Sequence, residues 1–303
     1  MIKIQRWTIQ PDAAIEISVL VPCWHVEPTI AGALESIAGQ EGLPEGVHVE
    51  VVLVVDGRPQ DLAAIKQVIA ERNQPFPFDL CLVSLAVNVG AGMARHIGYR
   101  HCRGSLLAFL DDDDLWHPAK LAIQWQWHQR HPMQICSAHG YRIKGYQHID
   151  IEALLWLYFD DVGSSATATD FFRLMIGGCS LHPSSLMIRC AHWPHEPEPL
   201  RFGEDWLMLA MIAYQQAIVI LPGDLAWRSP QVPTVMQDRH SLSRQRWSLR
   251  CGKMQAIRIL QQRGLLPRAM AMGLLAWNLL LQPRRYLLDA IDSVCQPSCR
   301  ASP

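Results

Sequence analysis

Four short apolar runs, each ended by turn-forming residues and each followed by a helical pattern, constrain this chain most. They are Ile15–Pro22, Val47–Val55, Asp79–Leu85 and Ser105–Leu110. A helix is predicted from Thr29, with Ile30, Ala33, Leu34 and Ile37 at helical spacing and Gly39 near its end. Residues 60–72 repeat the pattern with Leu62, Ile65, Val68 and Ile69, and Gly92–Cys102 and Pro118–His131 follow, the last with Pro at the favoured first position. Strand and helix alternate at roughly 25 to 30 residues per unit, which specifies a right-handed, parallel α/β sheet. Residues 1–14 read as an irregular lead-in, and Pro22, having no N–H to donate, is expected to end the first strand.

Ligands of such sheets bind at the carboxyl ends of the strands. Three polar loops lie there: Cys23–His25, Asp56–Pro59 and Asp111–Asp114, so they are expected to face one crevice. The third is the sharpest feature, because Leu106-Leu107-Ala108-Phe109-Leu110 runs straight into four aspartates. Adjacent carboxylates raise one another's pKa unless a cation sits among them. One reading is a divalent-metal site with oxygen ligands; the other is an acidic turn that caps the next helix.

Composition narrows the classes. Half of the 303 residues are apolar, enough for a sizeable core. With 27 basic and 28 acidic residues there is no basic field to attract nucleic acid. The nine cysteines include no C-x-x-C pair and read as reduced thiols, with Cys81, Cys102 and Cys136 in apolar surroundings. No signal-peptide pattern opens the chain, and no apolar run reaches the roughly 20 residues that span a bilayer; a cytoplasmic location, with peripheral contact at the inner face of the membrane as a variant, is expected. A dinucleotide fold needs G-x-G-x-x-G after the first strand, where Cys-Trp-His-Val-Glu-Pro stands, and no G-K-[ST] marks a P-loop. Cys190, His192 and His195 lack the second cysteine pair of a zinc site.

The second half is less regular. Strands are predicted within Gln134–Ile143 and at Ser184–Ile188, Ala217–Leu221 and Leu225–Trp227, with a helix over Glu204–Gln216. Gln231–Ser241 is polar and aperiodic, and helices are predicted over 242–263, 268–281 and 284–294.

Five motifs then occur in order: Ser18-Val19-Leu20-Val21-Pro22; Val54-Val55-Asp56-Gly57; Asn88-Val89-Gly90 with Ala94-Arg95; Phe109 through Asp111-Asp112-Asp113-Asp114 to Trp116; and Gly203-Glu204-Asp205-Trp206. In this order they resemble family 2 glycosyltransferases over about residues 15–245. The resemblance implies an α/β GT-A fold, a Rossmann-like, mostly parallel central sheet with helices on both faces. It places a nucleotide-sugar half at about 15–130 and an acceptor half at about 131–245 of a 1–245 domain; residues 246–303 fall outside the resemblance and read as a C-terminal helical extension. It also implies inverting transfer of a sugar from a nucleotide diphosphate, usually UDP-linked, to a glycan, polysaccharide or lipid-linked acceptor, with Mn²⁺ or Mg²⁺.

On that resemblance the roles are these. Pro22 and Trp24 lie beside the nucleoside, and Asp56 accepts from a base N–H, the bare alternative being an Asp-Gly turn. Arg95 reaches phosphate or ribose, or else makes a surface ion pair. Asp113 ligates the metal, Asp111 contacts ribose or metal, and Asp112 is able to replace either. Asp205 is the general base, the alternative being that Glu204 and Asp205 only complement a helix dipole. Glu204 and Trp206 are on the acceptor side, Trp206 by stacking or else as a core residue. His240 and Arg244 belong to a loop that closes over the donor.

The sequence departs from the family pattern at Val55, where a second aspartate is common, and at His25 and His96, where Asn is common. Ala269–Leu281, apolar nearly all round, reads as a buried helix of a hairpin; an interfacial helix held by Arg263, Arg268, Arg284 and Arg285 is the alternative. A non-catalytic nucleotide-sugar-binding or scaffold module of the same fold is the competing class. A nucleotidyltransferase is disfavoured by the missing Gly-rich first loop.

Overall fold

The computed structural model describes residues 2–142 except 10 and 12, together with 167–169, 171, 174, 181–194, 200–230 and 246–280. Its strands are β1 (Lys3–Trp7), β2 (Ile15–Cys23), β3 (His48–Val55), β4 (Asp79–Ser84), β5 (Leu106–Phe109), β6 (Asp114–Trp116), β7 (Cys136–Arg142), β8 (Thr167–Thr169), β9 (Met187–Arg189) and β10 (Ile218–Arg228). The α-helices are α1 (Ile30–Ala38), α2 (Pro59–Glu71), α3 (Ala91–Tyr99), α4 (Lys120–Arg130), α5 (Glu204–Gln215), α6 (Arg246–Gln262) and α7 (Arg268–Leu280).

One sheet carries the strands in the order β1-β4-β3-β2-β5-β9-β7-β10-β6, with β8 paired to β10. The core of four, β4-β3-β2-β5, is parallel as expected, and β7 and β10 are parallel to each other. Antiparallel β9 joins the two sets by pairing with β5 and β7. Alternation along the strands divides the apolar side chains between two layers. Val19, Val21, Val51 and Leu53 pack with Ile30, Leu34, Ile65 and Leu121 on the α1, α2 and α4 face. Leu20, Val52 and Val54 pack with Ala94, Leu207, Ile212, Ile257 and Leu260 on the α3, α5 and α6 face. This is why these strands read as continuous apolar runs: both faces are covered.

Several expectations are corrected. The lead-in contains strand β1, which pairs antiparallel with β4 at the sheet edge. It showed no apolar alternation because all five of its residues are exposed. β2 passes through Pro22 to Cys23. Leu20 C=O accepts from Leu110 N–H on the β5 side and Cys23 C=O accepts from Asp56 N–H on the β3 side. Alternation therefore turns the missing N–H of Pro22 toward β5, beyond the last β2–β5 pair, Leu20 with Phe109. The two short strands expected around Pro222-Gly223 are one strand, β10, whose register with β7 shifts at Ile220, Asp224 and Ala226, as a bulge permits. Pro118 lies in the turn before α4 rather than within its first turn, and α4 has no side-chain cap. Instead Lys120, fully buried, sets its Nζ over the Trp116 ring at 3.8 Å, joining α4 to β6, and burial pushes its pKa well down. The helix expected over 284–294 lies outside the described residues.

The C-terminal helices share the core of the domain. Ala256, Ile257, Leu260, Leu266, Ala271 and Leu274 belong to the same apolar cluster as α5. Gly252 of α6 lies directly beneath the carbonyl of Phe202, and Gly203, in the left-handed conformation that starts α5, meets Gly252 and Lys253. No helix among the described residues is long and apolar enough to cross a membrane. Gly252→Ala would gain up to about 1 kcal/mol of helix propensity, but its methyl meets backbone and forces α6 away from α5, at about 1–3 kcal/mol. The expected outcome is a lower melting temperature for Gly252→Ala, read by circular dichroism.

Candidate active site

The three polar loops converge as expected, and the contacts that join them use the predicted residues. Trp24 N–H donates to Asp112 Oδ2 at 2.7 Å, and Asp56 N–H donates to Cys23 C=O at 3.0 Å. The loop between β2 and α1 is held from below by Asp61 at the start of α2, which is fully buried and accepts from His25 and Val26 N–H. Arg58 neutralises Asp61 at 3.1 Å. His25 takes a positive φ of 65° here, and the Trp24 ring stands edge-on to its imidazole, 40% exposed at the mouth of the crevice.

Asp56 is turned to the loop before α3. Its carboxylate accepts from Asn88 Nδ2 at 2.8 Å, Val89 N–H at 2.7 Å and Gly90 N–H at 2.9 Å, and only 3% of it is exposed. Burial pushes its pKa up, and the two N–H donors act against that. Its first observable role is to anchor the Asn88–Gly90 turn, from which α3 presents Arg95.

The aspartate run is satisfied one residue at a time. Asp111 Oδ1 receives the Arg95 guanidinium at 2.6 Å, and its N–H donates to Ser184 Oγ at 3.0 Å. Burial opposes ionisation of Asp111, but Arg95, His182 and Arg228 outweigh it and hold the pKa below the usual value. Among the described residues Asp112 has the Trp24 N–H as its hydrogen-bond donor, and burial with Asp113 beside it pushes its pKa well up. Asp113 meets Arg228 of β10 at 3.2 Å; burial and Asp111 raise its pKa against that cation. Asp114 is not a cap. It begins β6, is 1% exposed, and accepts from Tyr141 Oη at 2.7 Å and from Ser184 Oγ, with His182 Nδ1 at 3.3 Å.

Four of these partners escaped the sequence reading: Tyr141, His182, Ser184 and Arg228. The polar His182-Pro183-Ser184-Ser185 insertion ahead of an apolar run was the one visible signal. Ser184 is fully buried and ties the two ends of the run, and its C=O also accepts from Trp116 Nε1–H at 2.8 Å. His182 stacks on Tyr141 with ring centroids 4.0 Å apart, which fixes the imidazole between Asp111 and Asp114.

These residues fit a divalent cation. Asp111, Asp114 and His182 each offer a ligand atom, all within 4.8 Å of one another. Asp113, the ligand expected from the sequence, is turned to Arg228. Hard divalent cations take carboxylate oxygens, which Asp111 and Asp114 supply, and His182 adds an imidazole nitrogen.

Arg95 links this group to the start of α5. It is 3% exposed, its Nε and Nη1 have no hydrogen-bond partner among the described residues, and the charges of Glu204 and Asp205 act on it together with Asp111. Glu204 packs on Gly92 so closely that no Cβ fits there. Burial, followed by the charge of Asp205, raises the Glu204 pKa to about 7. Asp205 accepts from Trp206 N–H at 2.7 Å. Trp206 itself is 6% exposed and packs in the core, the alternative given for it from the sequence, with Lys253 Nζ 5.8 Å above its ring. His240 and Arg244 lie outside the described residues.

The family model for glycosyl transferase family 2 matches residues 18–177, and the chain belongs to that family. Among curated relatives, an uncharacterized glycosyltransferase of Rickettsia bellii is 24% identical over 200 residues, 64% of this chain and 26% of the relative. The chain spans about a quarter to a third of the length of such relatives. Among solved structures, residues 1–349 of S. aureus TarS in complex with UDP superpose with a TM-score of 0.59 at 19% identity, covering 88% of this chain and 71% of that one. The mannosyltransferase PcManGT of Pyrobaculum calidifontis, in complex with GDP-Man and Mn²⁺, gives 0.54 at 16% identity, covering 96% and 85%. The fold is therefore that of the GT-A glycosyltransferases.

Two outcomes follow from this geometry. Ser184→Ala leaves the buried Asp114 short of a donor and is expected to cost about 1–3 kcal/mol, read as a lower denaturation midpoint. For Glu204, folding raises proton affinity, so this group favours the folded state below its ordinary pKa of 4.5 and that contribution is lost as pH rises to about 7. Glu204→Gln should therefore gain stability relative to the parent as pH rises across that window, measured as melting temperature against pH.

Proposed function

We propose that the chain is an inverting, metal-dependent glycosyltransferase that moves a sugar from a nucleotide diphosphate, most simply a UDP-sugar, to a glycan, polysaccharide or lipid-linked acceptor. The observation that carries this reading is the joining of two groups by Arg95. On one side it holds Asp111 of the aspartate run at 2.6 Å; on the other it lies in the field of Glu204 and Asp205 at the start of α5. A site for a charged leaving group and a site for a proton acceptor thus share one crevice at the carboxyl ends of the parallel strands, where such sheets bind ligands. The likeness to structures containing UDP and GDP-Man supports a nucleotide-sugar donor.

In this reading Pro22 and Trp24 flank the nucleoside, and Asp56 supports that pocket through the Asn88–Gly90 turn while remaining a candidate acceptor for a base N–H. Asp111, Asp113 and Asp112 face the diphosphate, and Arg95 and Arg228 lower the cost of placing it beside carboxylates. A divalent cation held by Asp111, with Asp113, Asp114 and His182 as further donors, would supply Lewis-acid stabilisation of the leaving diphosphate. Asp205 takes the proton of the acceptor hydroxyl as its oxygen forms a bond to the anomeric carbon. The bond from that carbon to the diphosphate oxygen breaks, and its electron pair leaves with the nucleoside diphosphate. A single displacement inverts the anomeric centre. Glu204 orients Arg95 and the acceptor, while His240 and Arg244 belong to the segment that closes over the donor. A lipid-linked acceptor would approach past α7, which buries Ala271 and Leu274 and exposes Met272; peripheral membrane contact there belongs to the same reading.

The test is nucleotide release from a panel of UDP- and GDP-sugars with Mn²⁺. Turnover with at least one donor is expected for the parent, together with loss for Asp113→Ala. For Asp205→Ala a fall of roughly a hundred- to ten-thousand-fold is expected with donor binding retained. Absence of both turnover and binding with every donor would overturn the enzyme reading, and binding without turnover would favour the non-catalytic module.

A further inference from the structure

The open edge of the sheet is unlike the rest of the surface. Ten large apolar side chains are markedly exposed among the described residues, and four of them fall in eight residues at this edge: Ile2 at 50%, Ile4 at 47%, Trp7 at 40% and Ile9 at 48%. β1 pairs with β4 on one side only and is the last strand in the sheet order. Its other side presents unpaired backbone donors and acceptors among the described residues, a template for a further strand.

The sequence of β1 fits a second copy of itself. In an antiparallel pair centred on Gln5, residue numbers facing each other sum to ten. Lys3 then faces Trp7 of the other copy, Ile4 faces Arg6, and Gln5 faces Gln5. No like charges stand opposite one another, and the Lys3–Trp7 pair, made twice, brings an ammonium to an indole. Ile4 of each copy becomes a diagonal neighbour of the other across the twofold axis, about 7–8 Å away, within reach of long side chains. Arg6 adds little repulsion, because its guanidinium donates to His101 C=O at 3.1 Å and lies 3.8 Å from Glu50, whose side chain is only 1% exposed. The edge is thus apolar where it needs to be covered and self-complementary where it is charged. A twofold contact uses one patch twice, which is the commonest route to a soluble dimer.

We infer that β1 is a homodimerisation edge, through which two copies of the chain join antiparallel and their sheets become continuous. The contact is short, so association is expected in the micromolar range rather than as an obligate dimer. It places the pairing on the β1–β4 edge, away from β5, the tetrad and α5, and leaves both crevices open.

Sedimentation velocity of the full chain over a wide range of concentration tests this. The parent is expected to shift from monomer to dimer as concentration rises. Trp7→Lys places a lysine opposite Lys3 of the other copy and should leave a monomer, as should Ile4→Lys, which replaces the diagonal Ile4–Ile4 contact with two lysines across the twofold axis. Adding Lys3→Glu to Trp7→Lys restores an opposite-charge pair at the same register and should restore the dimer. Circular dichroism melting distinguishes loss of pairing from loss of fold, since β1 is exposed along its whole length. A parent that stays monomeric throughout, including when another protein strand occupies the edge instead, would overturn the inference. So would a dimer that Ile4→Lys and Trp7→Lys leave intact, or a double variant that stays monomeric while folded.

Discussion

Four consecutive carboxylates can be placed at a buried strand end only if each receives its own compensation. The partners here come from five separate parts of the chain: Arg95 from α3 for Asp111, Trp24 N–H from the first loop for Asp112, Arg228 from β10 for Asp113, and Tyr141 of β7 with the His182–Ser184 turn for Asp114. Asp114 is buried, and a buried carboxylate without partners is costly, so its place at the start of β6 depends on the strand order that brings Tyr141 and Ser184 to it. β9 is what makes it possible. By pairing antiparallel with β5 and β7, it brings the Ser184 turn against the tip of β5 and β10 within reach of Asp113.

The parallel half of the fold was legible because its strands are buried on both faces and its helices carry an apolar stripe. The strands from Ile15, Val47, Asp79 and Ser105 needed no long-range information, and neither did the convergence of their tips. What was hidden has specific causes. β1 lacks a buried face, so periodicity had nothing to register. β6 follows directly from the aspartates, and a three-residue strand is too short to show alternation. For Trp206, beside Asp205, the sequence left stacking and core packing both open, and the side chain joins the core where α6 packs tightly on Gly203.

At the site, residue types were readable and partners were not. Asp111, Asp113, Arg95 and Asp205 announced themselves by charge and motif. The cation that meets Asp113 is more than a hundred residues away in sequence, and the hydroxyls that satisfy Asp114 come from two unremarked positions. Asp114 is the most heavily bonded of the four. Position within a run of identical residues carries no information about which member points inward; that is decided by the pleat of β6 and by what Tyr141 and Ser184 are able to donate.

Arg95 is where the two halves of the site meet, because it touches Asp111 directly and is within electrostatic range of Glu204 and Asp205. The central claim is that this crevice gathers a divalent cation and a nucleoside diphosphate together. The most direct measurement is the free Mn²⁺ signal in electron paramagnetic resonance, titrated with the protein in the presence of UDP and of GDP. The parent is expected to remove free Mn²⁺ beyond what either nucleotide removes alone, and Asp111→Asn is expected to abolish this loss. The same free-ion signal with and without the parent protein, for both nucleotides, would contradict it.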